Sequence, residues 1–283
     1  MAKCRKLAAA LAALLLWGAC PVMAATPLIA ENLELETYRG VAVGGQLSAA
    51  APEGTTLSYR VTTEPSKGSV EVKADGSFIY TPEEGRRGRD YFGYKAFDEA
   101  GNASQEATVI IHLVKCKASF RYADTAGLPC DYAAHALAAE GLLQGQCVAG
   151  NFLFEPERSV SRGEFLSLCM AAAGIEPLQG VRSTGCKDDA TIESWLKPYV
   201  STALLAGYSK TDAVFGSDDA LGKKEAAAML NRIFALTAAP GAATDEENRA
   251  VMNLSGSGIP LTLGDAPLTR AEAAVMLVEA MGA

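Results

Sequence analysis

The sequence predicts a multidomain α+β chain: an all-β sandwich followed by an all-α bundle of helical repeats. Apolar residues alternate with period two through residues 26–115, then switch to a helical period after Lys117. Turn signals punctuate the N-terminal half at short intervals. In the C-terminal half a single helical pattern recurs three times. The 283 residues suffice for two ordinary domains, and 49% hydrophobic with 20% charged residues can build packed cores. Disorder from end to end and a multi-span membrane protein are both excluded, because only one strongly apolar run exists.

That run belongs to a leader. Lys3, Arg5 and Lys6 precede the apolar Leu7–Trp17, which is shorter than the roughly 20 residues a membrane helix needs. Val22-Met23-Ala24 then reads as a signal-peptidase site, so residues 1–24 are expected to be a signal peptide and Ala25 the mature N-terminus. The rival is lipidation at Cys20, since Gly18-Ala19-Cys20 resembles the end of a lipobox with Trp17 out of pattern. The rest carries 22 basic and 33 acidic residues, a net −11, which argues against a duplex-binding footprint. His112 and His135 are the only histidines, a poor supply for metal or histidine-base chemistry.

Export gives the cysteines a redox meaning. Cys116, Cys130, Cys147, Cys169 and Cys186 remain after the leader. Cys169 falls on the apolar face of a helix and reads as a buried small hydrophobe. Cys116, Cys130, Cys147 and Cys186 are the disulfide candidates, with three pairings open. None forms Cys-x-x-Cys, so no metal site is expected.

Within 26–115, Leu33/Leu35, Leu57/Tyr59/Val61 and Val70/Val72 alternate with polar neighbours. Phe78/Tyr80, Phe92/Tyr94/Ala96 and Val109/Ile111/Leu113 do the same. Asp75-Gly76 between two such runs is a hairpin signal, because glycine accepts positive φ. Six or seven short strands argue for a sandwich. Asp75, Asp90, Asp98 and Glu99 read as turn and strand-end carboxylates, not Ca²⁺ ligands. Gly76-Ser77-Phe78-Ile79-Tyr80-Thr81-Pro82, Gly88–Tyr94, the Asp98–Asn102 turn and the Ala107–Leu113 strand resemble bacterial immunoglobulin-like or cadherin-like repeats. That resemblance implies a spacer or adhesive module.

Beyond Lys117, Ser161-Arg162-Gly163-Glu164 opens an apolar stripe at Phe165, Leu168, Cys169 and Ala172. Gly222-Lys223-Lys224-Glu225 opens Ala226, Met229, Leu230 and Ile233. Thr269-Arg270-Ala271-Glu272 opens Ala273, Met276, Leu277 and Ala280. The offsets are those of one helix face. Ser161/Glu164 and Thr269/Glu272 are capping boxes, and Gly222 is a weaker cap. Each copy has an earlier helix: Asp131–Glu140 stopped by Gly141, Trp195–Ala206 stopped by Gly207, and one opened by a Thr244-Asp245-Glu246-Glu247 box and running to Gly256. Phe154 and Phe215 each stand ten residues before a capping Glu. The period switch predicts two independent folding units meeting near residues 115–119.

These copies resemble the S-layer homology (SLH) domain. Phe120, Asp124, Gly141, Phe154-Glu155-Pro156 and Ser161–Glu164 match in the first repeat (118–176). Trp195, Gly207, Phe215 and Gly222–Glu225 match in the second repeat (183–238). Leu268–Glu272 with Ala273–Leu277 matches in a degenerate third repeat (243–283). The resemblance implies a pseudo-threefold bundle gripping an anionic, often pyruvylated, secondary cell-wall polysaccharide. Carried over, the polysaccharide-binding residues are Arg162, Trp195, Lys223 and Arg270. Arg at a helix start would add a forked donor beside amides that favour anions, and Trp would stack on a sugar ring. Pro129 and Thr244 replace Trp in the first and third repeats, and Pro129 is expected to leave the groove of Arg162 without an aromatic floor.

The expected function is therefore non-enzymatic: a secreted cell-surface protein whose repeats anchor to the wall polymer and display the immunoglobulin-like module, with other surface proteins as further partners. No cofactor, nucleic acid or transmembrane span is expected. One alternative is a degenerate bundle serving structure or protein interaction without polymer. The other is an accessory module of an exported enzyme, against which stands the lack of Gly-x-Ser-x-Gly, His-Glu-x-x-His and P-loop motifs. Glu83-Glu84, Asp188-Asp189 and Asp218-Asp219 read as solvated turn charges.

Overall fold

The computed structural model describes residues 28–282 apart from 53, 118, 119, 210–213, 240, 242, 244, 258 and 262. The expected signal peptide with Cys20 and the Ala24–Ala25 junction lies outside the described residues, as does Thr244.

Nine strands build the first half: β1 (Ile29–Ala30), β2 (Leu33–Tyr38), β3 (Val43–Gln46), β4 (Ala49–Ala50), β5 (Ser58–Thr63), β6 (Gly68–Val72), β7 (Ser77–Pro82), β8 (Gly88–Phe97) and β9 (Ala107–Val114). One sheet has the order β2-β9-β8-β5, the other β3-β7-β6, and β1 pairs with β4. β2 runs parallel to β9, whereas the other pairs are antiparallel. The alternation predicted from sequence sends Phe92, Tyr94, Val109 and Ile111 of one sheet inward against Val43, Phe78 and Tyr80 of the other. Asp75-Gly76 makes the expected turn between β6 and β7, with Gly76 at φ 85° and the Asp75 carboxylate accepting from the Ser77 amide.

Asp90 is no strand-end charge. It is 1% exposed, and its carboxylate accepts from the Ser66 amide and hydroxyl, the Lys67 amide and the Tyr80 hydroxyl. Burial alone would raise its pKa, but these four bonds outweigh burial and hold it below the ordinary carboxylate value. A carboxyl depressed in the folded state stabilises the fold above its unfolded pKa, and the contribution fades as pH falls through the folded value. Asp90→Asn turns a donor toward one of these donors and should cost about 2 kcal/mol at pH 7. The difference between variant and wild type in urea melts should shrink as pH falls below about 4.

The second half carries six helices among the described residues: α1 (Asp131–Ala139), α2 (Arg162–Ala172), α3 (Lys197–Ala206), α4 (Lys223–Phe234), α5 (Glu246–Gly256) and α6 (Arg270–Gly282). A hairpin of β10 (Gln146–Val148) and β11 (Asn151–Leu153) lies between α1 and α2. Both capping boxes form: Ser161 and Thr269 each accept from, and receive the carboxylate of, the Glu three residues on. The α5 cap is Asp245, which accepts from the Asn248 amide, so this helix starts one residue later than its sequence pattern suggests. Trp195 lies in the turn before α3, not inside the helix.

The helices close into a ring. The first helix of each repeat packs on the second helix of the repeat before it: α3 on α2, α5 on α4 and α1 on α6. At the centre the residues preceding the three second-helix caps form a closed backbone circuit. Val160 N–H donates to Leu268 O (2.9 Å), Leu268 N–H to Leu221 O (2.8 Å) and Leu221 N–H to Val160 O (3.0 Å). All three side chains are buried. Each residue gives one bond and takes one, which is a pseudo-threefold arrangement built from sequence-equivalent positions.

The two halves are docked against each other. Tyr132 of α1 stacks obliquely on Tyr38 (5.1 Å between centroids) and joins the sandwich core. The Tyr132 amide donates to Ala42 O, and the Ala42 amide to the buried Asp131 carboxylate. Gly44 N–H donates to Pro129 O, and Arg121 donates to Arg39 O and Gly40 O. The second half of the chain thus meets the sandwich through a polar and aromatic seam as well as through the connecting chain.

Candidate functional site

Arg162, Lys223 and Arg270 each stand at the first position of a second helix. The ring sets each beside the capping Glu of the next repeat, and two of the three possible struts are made. Arg162 forks onto Glu225 (Nε–Oε1 2.7 Å, Nη2–Oε2 3.2 Å) and also donates to Phe215 O, Gly216 O and Asp219. Lys223 Nζ lies 2.6 Å from Glu272 and is 10% exposed. The hydrogen bond and charge of Glu225 push the Arg162 pKa up against the opposing effect of burial.

The third strut is broken. By the same symmetry Arg270 would meet Glu164, but Arg158 takes that carboxylate. Arg158 occupies the position that Asp219 has in the second repeat, so an arginine stands where Arg162 finds an acid. Arg270 is 7% exposed, lies over the Phe154 ring at 4.8 Å and donates to Gln144 O, while its Nε is buried with no hydrogen-bond partner among the described residues. Burial first, and Arg158 second, press its pKa down. Arg158 has a 43% exposed side chain and was absent from the sequence-derived site. Its signal was the register itself: Arg158 and Asp219 both lie three residues before a second-helix cap.

At α2 and α6 the helix-start amides are not free to hold an anion, contrary to the sequence expectation. Arg162 and Gly163 N–H donate to Asp219 O and Ser217 O; Arg270 and Ala271 N–H donate to Arg158 O and Pro156 O. Those carbonyls belong to hooks pinned by carboxylates. Asp124 accepts from the Phe154 and Glu155 amides, and Asp188 from the Phe215 and Gly216 amides. Asp189 binds Thr184 and Lys197, and Asp219 binds Arg162, so Asp188, Asp189 and Asp219 are not merely solvated charges. The Lys197 hydrogen bond, then those from Thr184, hold Asp189 well below the ordinary carboxylate value.

Trp195 is 52% exposed, makes an edge contact with Tyr199 at 6.3 Å, and donates its indole N–H to Glu193. Its neighbour Leu196 packs on Gly163, next to Arg162 in sequence, which brings the turn that carries Trp195 to the start of α2. Pro129, its equivalent in the first repeat, precedes α1, which packs on α6. The position that lacks the tryptophan therefore lies beside Arg270, where the buried Phe154 ring sits under the guanidinium, and the expected pairing of Pro129 with Arg162 is corrected. Among the described residues no groove combines an exposed aromatic with a helix-start cation free of an acid partner.

All five described cysteines are free thiols. The bridges expected among Cys116, Cys130, Cys147 and Cys186 are not formed: Cys130 and Cys186 are buried as thiols, Cys116 is half-buried and Cys147 stands exposed on β10. Burial raises the Cys130 thiol to about 11 and lifts that of Cys169, which lies in the helical core. Among the described residues no acid, histidine and cysteine cluster could hold a metal, and no helix is long and apolar enough to cross a membrane.

No curated protein matches the chain. Solved structures similar to it include a SusE-like surface polysaccharide-binding protein from Bacteroides thetaiotaomicron (14% identity over 34% of this chain and 16% of that one, TM-score 0.26). An endo-fucoidan hydrolase of glycoside hydrolase family 107 is similar at 14% identity over 31% and 16% (TM-score 0.26). The fibronectin(III)-like modules of Clostridium thermocellum CbhA match at 14% over 31% and 98% (TM-score 0.18). The chain spans less than a fifth of the first two. Residues 24–115 match the bacterial cadherin-like domain, which identifies the sandwich, and not the helical half, as a domain of that immunoglobulin-like kind.

Proposed function

We propose that the chain is a non-enzymatic surface protein of a bacterial envelope, in which an SLH-like helical ring holds an anionic secondary wall polysaccharide and displays the cadherin-like module. The observation that carries this is the Arg270–Arg158 pair. Arg158 stands beside Arg270 where Asp219 stands beside Arg162, it takes the Glu164 carboxylate equivalent to those that pair Arg162 and Lys223, and one buried guanidinium nitrogen of Arg270 has no partner among the described residues. A carboxylate on a sugar would bridge the pair by displacing Glu164 from Arg158. Trp195 offers a second, stacking contact on a neighbouring groove. The signal-like N-terminal sequence supports export, the bacterial cadherin-like match supports a surface location, and the wall polymer as anchor rests on the SLH resemblance.

A second reading is favoured by the saturated struts of Arg162 and Lys223: a ring kept for structure or protein contact, with no polymer. Arg158→Asp separates the two. It gives Arg270 the acid that Asp219 gives Arg162, so it should raise stability by about 1 kcal/mol. On the polymer reading the same change should abolish sedimentation with wall sacculi, with sacculi stripped of secondary polymer as control. Trp195→Ala should weaken sedimentation by roughly tenfold, about 1.4 kcal/mol. If wild type does not sediment, or both variants sediment as well as wild type, the second reading stands.

A further inference from the structure

The seam between the halves encloses a half-open cleft of about 440 Å³ between β2, the chain after β9, α1 and the last turns of α6. It is separate from the three grooves, which lie at the starts of the second helices. Its walls are apolar or aromatic: Val114, Tyr132, Ala136 and Val278 are partly buried there, with Tyr38 behind Tyr132. Charges ring the mouth in equal number, Glu36 and Glu140 against Lys115 and Lys117, and Lys117 pairs with Glu140 at 3.0 Å. We propose that this cleft binds a neutral saccharide of one or two rings.

Three features select that class. The volume lies in the range of small-ligand sites, which favour domain seams. The rim carries charges of both signs, with no single-signed patch to select an anion or a cation, and supplies carboxylate acceptors and ammonium donors around the mouth for hydroxyl groups. The Tyr132 ring and the aliphatic strip of Val114, Ala136 and Val278 offer the flat C–H contact that one face of a pyranose needs. A hydrocarbon would fill the walls but leave the charged rim facing it. A ligand here would touch both halves at once and tighten the seam.

The test uses the full chain and soluble probes: N-acetylglucosamine, its β-1,4-linked dimer and maltose, titrated by saturation-transfer NMR and thermal melting. The expected result is saturable binding of at least one probe at millimolar concentration, with a rise in melting temperature. Ala136→Trp fills the cleft and should remove the binding. Because a bulky indole could disturb α1, Lys117→Ala is the second variant; it removes a rim donor and should weaken binding severalfold while the melt of the free protein stays near wild type. Arg158→Asp, which alters the wall-polymer groove, should leave probe binding unchanged, so failure of the groove reading and failure of this one are separable. No saturable binding of any probe, or binding that survives both cleft variants, overturns the proposal. Binding of an apolar dye in the cleft with no saccharide binding would overturn the ligand class.

Discussion

Arg162→Ala should lower the stability of the helical ring by about 2–4 kcal/mol, the range for breaking a largely buried, multiply bonded ion pair. The guanidinium is 17% exposed and reaches four groups of the next repeat: Glu225, Asp219 and the carbonyls of Phe215 and Gly216. Removing it leaves the Glu225 carboxylate without its fork and the Phe215 carbonyl without a donor, while Gly216 O keeps the Asp219 amide, and it loosens α2 from α4 and the 215–219 hook. For a unit of this size the melting midpoint should fall by about 10 °C. Lys223→Ala, which removes one bond to Glu272, should cost about 1 kcal/mol. Thermal melts followed at 222 nm would decide. A loss for Arg162→Ala no larger than that for Lys223→Ala would show that the fork is not the brace it looks to be. The point bears on function, because weakened wall binding by Arg162→Ala could then be assigned to a loosened ring and not to a lost ligand contact. Sedimentation should be compared at a temperature where both proteins are folded.

The strands that the sequence revealed are those with side chains on a period of two. β3 escaped because its middle is Gly44-Gly45, where no side chain reports an inward face. A methyl on Gly45 would lie 2.4 Å from the Phe78 ring, and one on Gly44 would lie 2.9 Å from Pro129 Cβ. The glycines exist for close approach, which a hydrophobicity pattern cannot register. The β10–β11 hairpin was missed for a related reason: its three-residue strands are shorter than the pattern, although Ala149 and Gly150 both take positive φ in a two-residue turn. The second helices and their caps were legible because capping is local, three residues from donor to acceptor. The partners of the helix-start cations were not, since Arg162 meets Glu225 across 63 residues and only the ring brings them together. Tyr132 shows the same limit. In a helical pattern it counts as one more apolar residue, yet it points out of the ring into the sandwich. Asp90 is the converse case: a carboxylate flanked by Arg89 reads as surface charge until the strand is seen to bury it.

Leu221→Ala should cost about 3–4 kcal/mol, and Leu268→Ala the same, within the range for emptying a fully buried leucine site. Val160→Ala, which deletes a smaller volume, should cost about 2 kcal/mol. The argument rests on where these residues sit. Each is at most 2% exposed, and each hands its backbone amide to the next in a closed circuit, so the three side chains share one centre. A cavity at one of them borders all three repeats, and relaxation to fill it would pull the circuit apart. The three variants should therefore unfold the whole ring in one transition at lower denaturant and not detach a single repeat. Double variants such as Leu221→Ala with Leu268→Ala should be non-additive, because the two cavities merge. Additive losses in urea melts, or a first transition confined to α5 and α6, would mean that the repeats stand as separate hairpins. Fluorescence of Trp195 against circular dichroism at 222 nm distinguishes these outcomes, since the indole reports the second repeat alone while the helical signal reports all three.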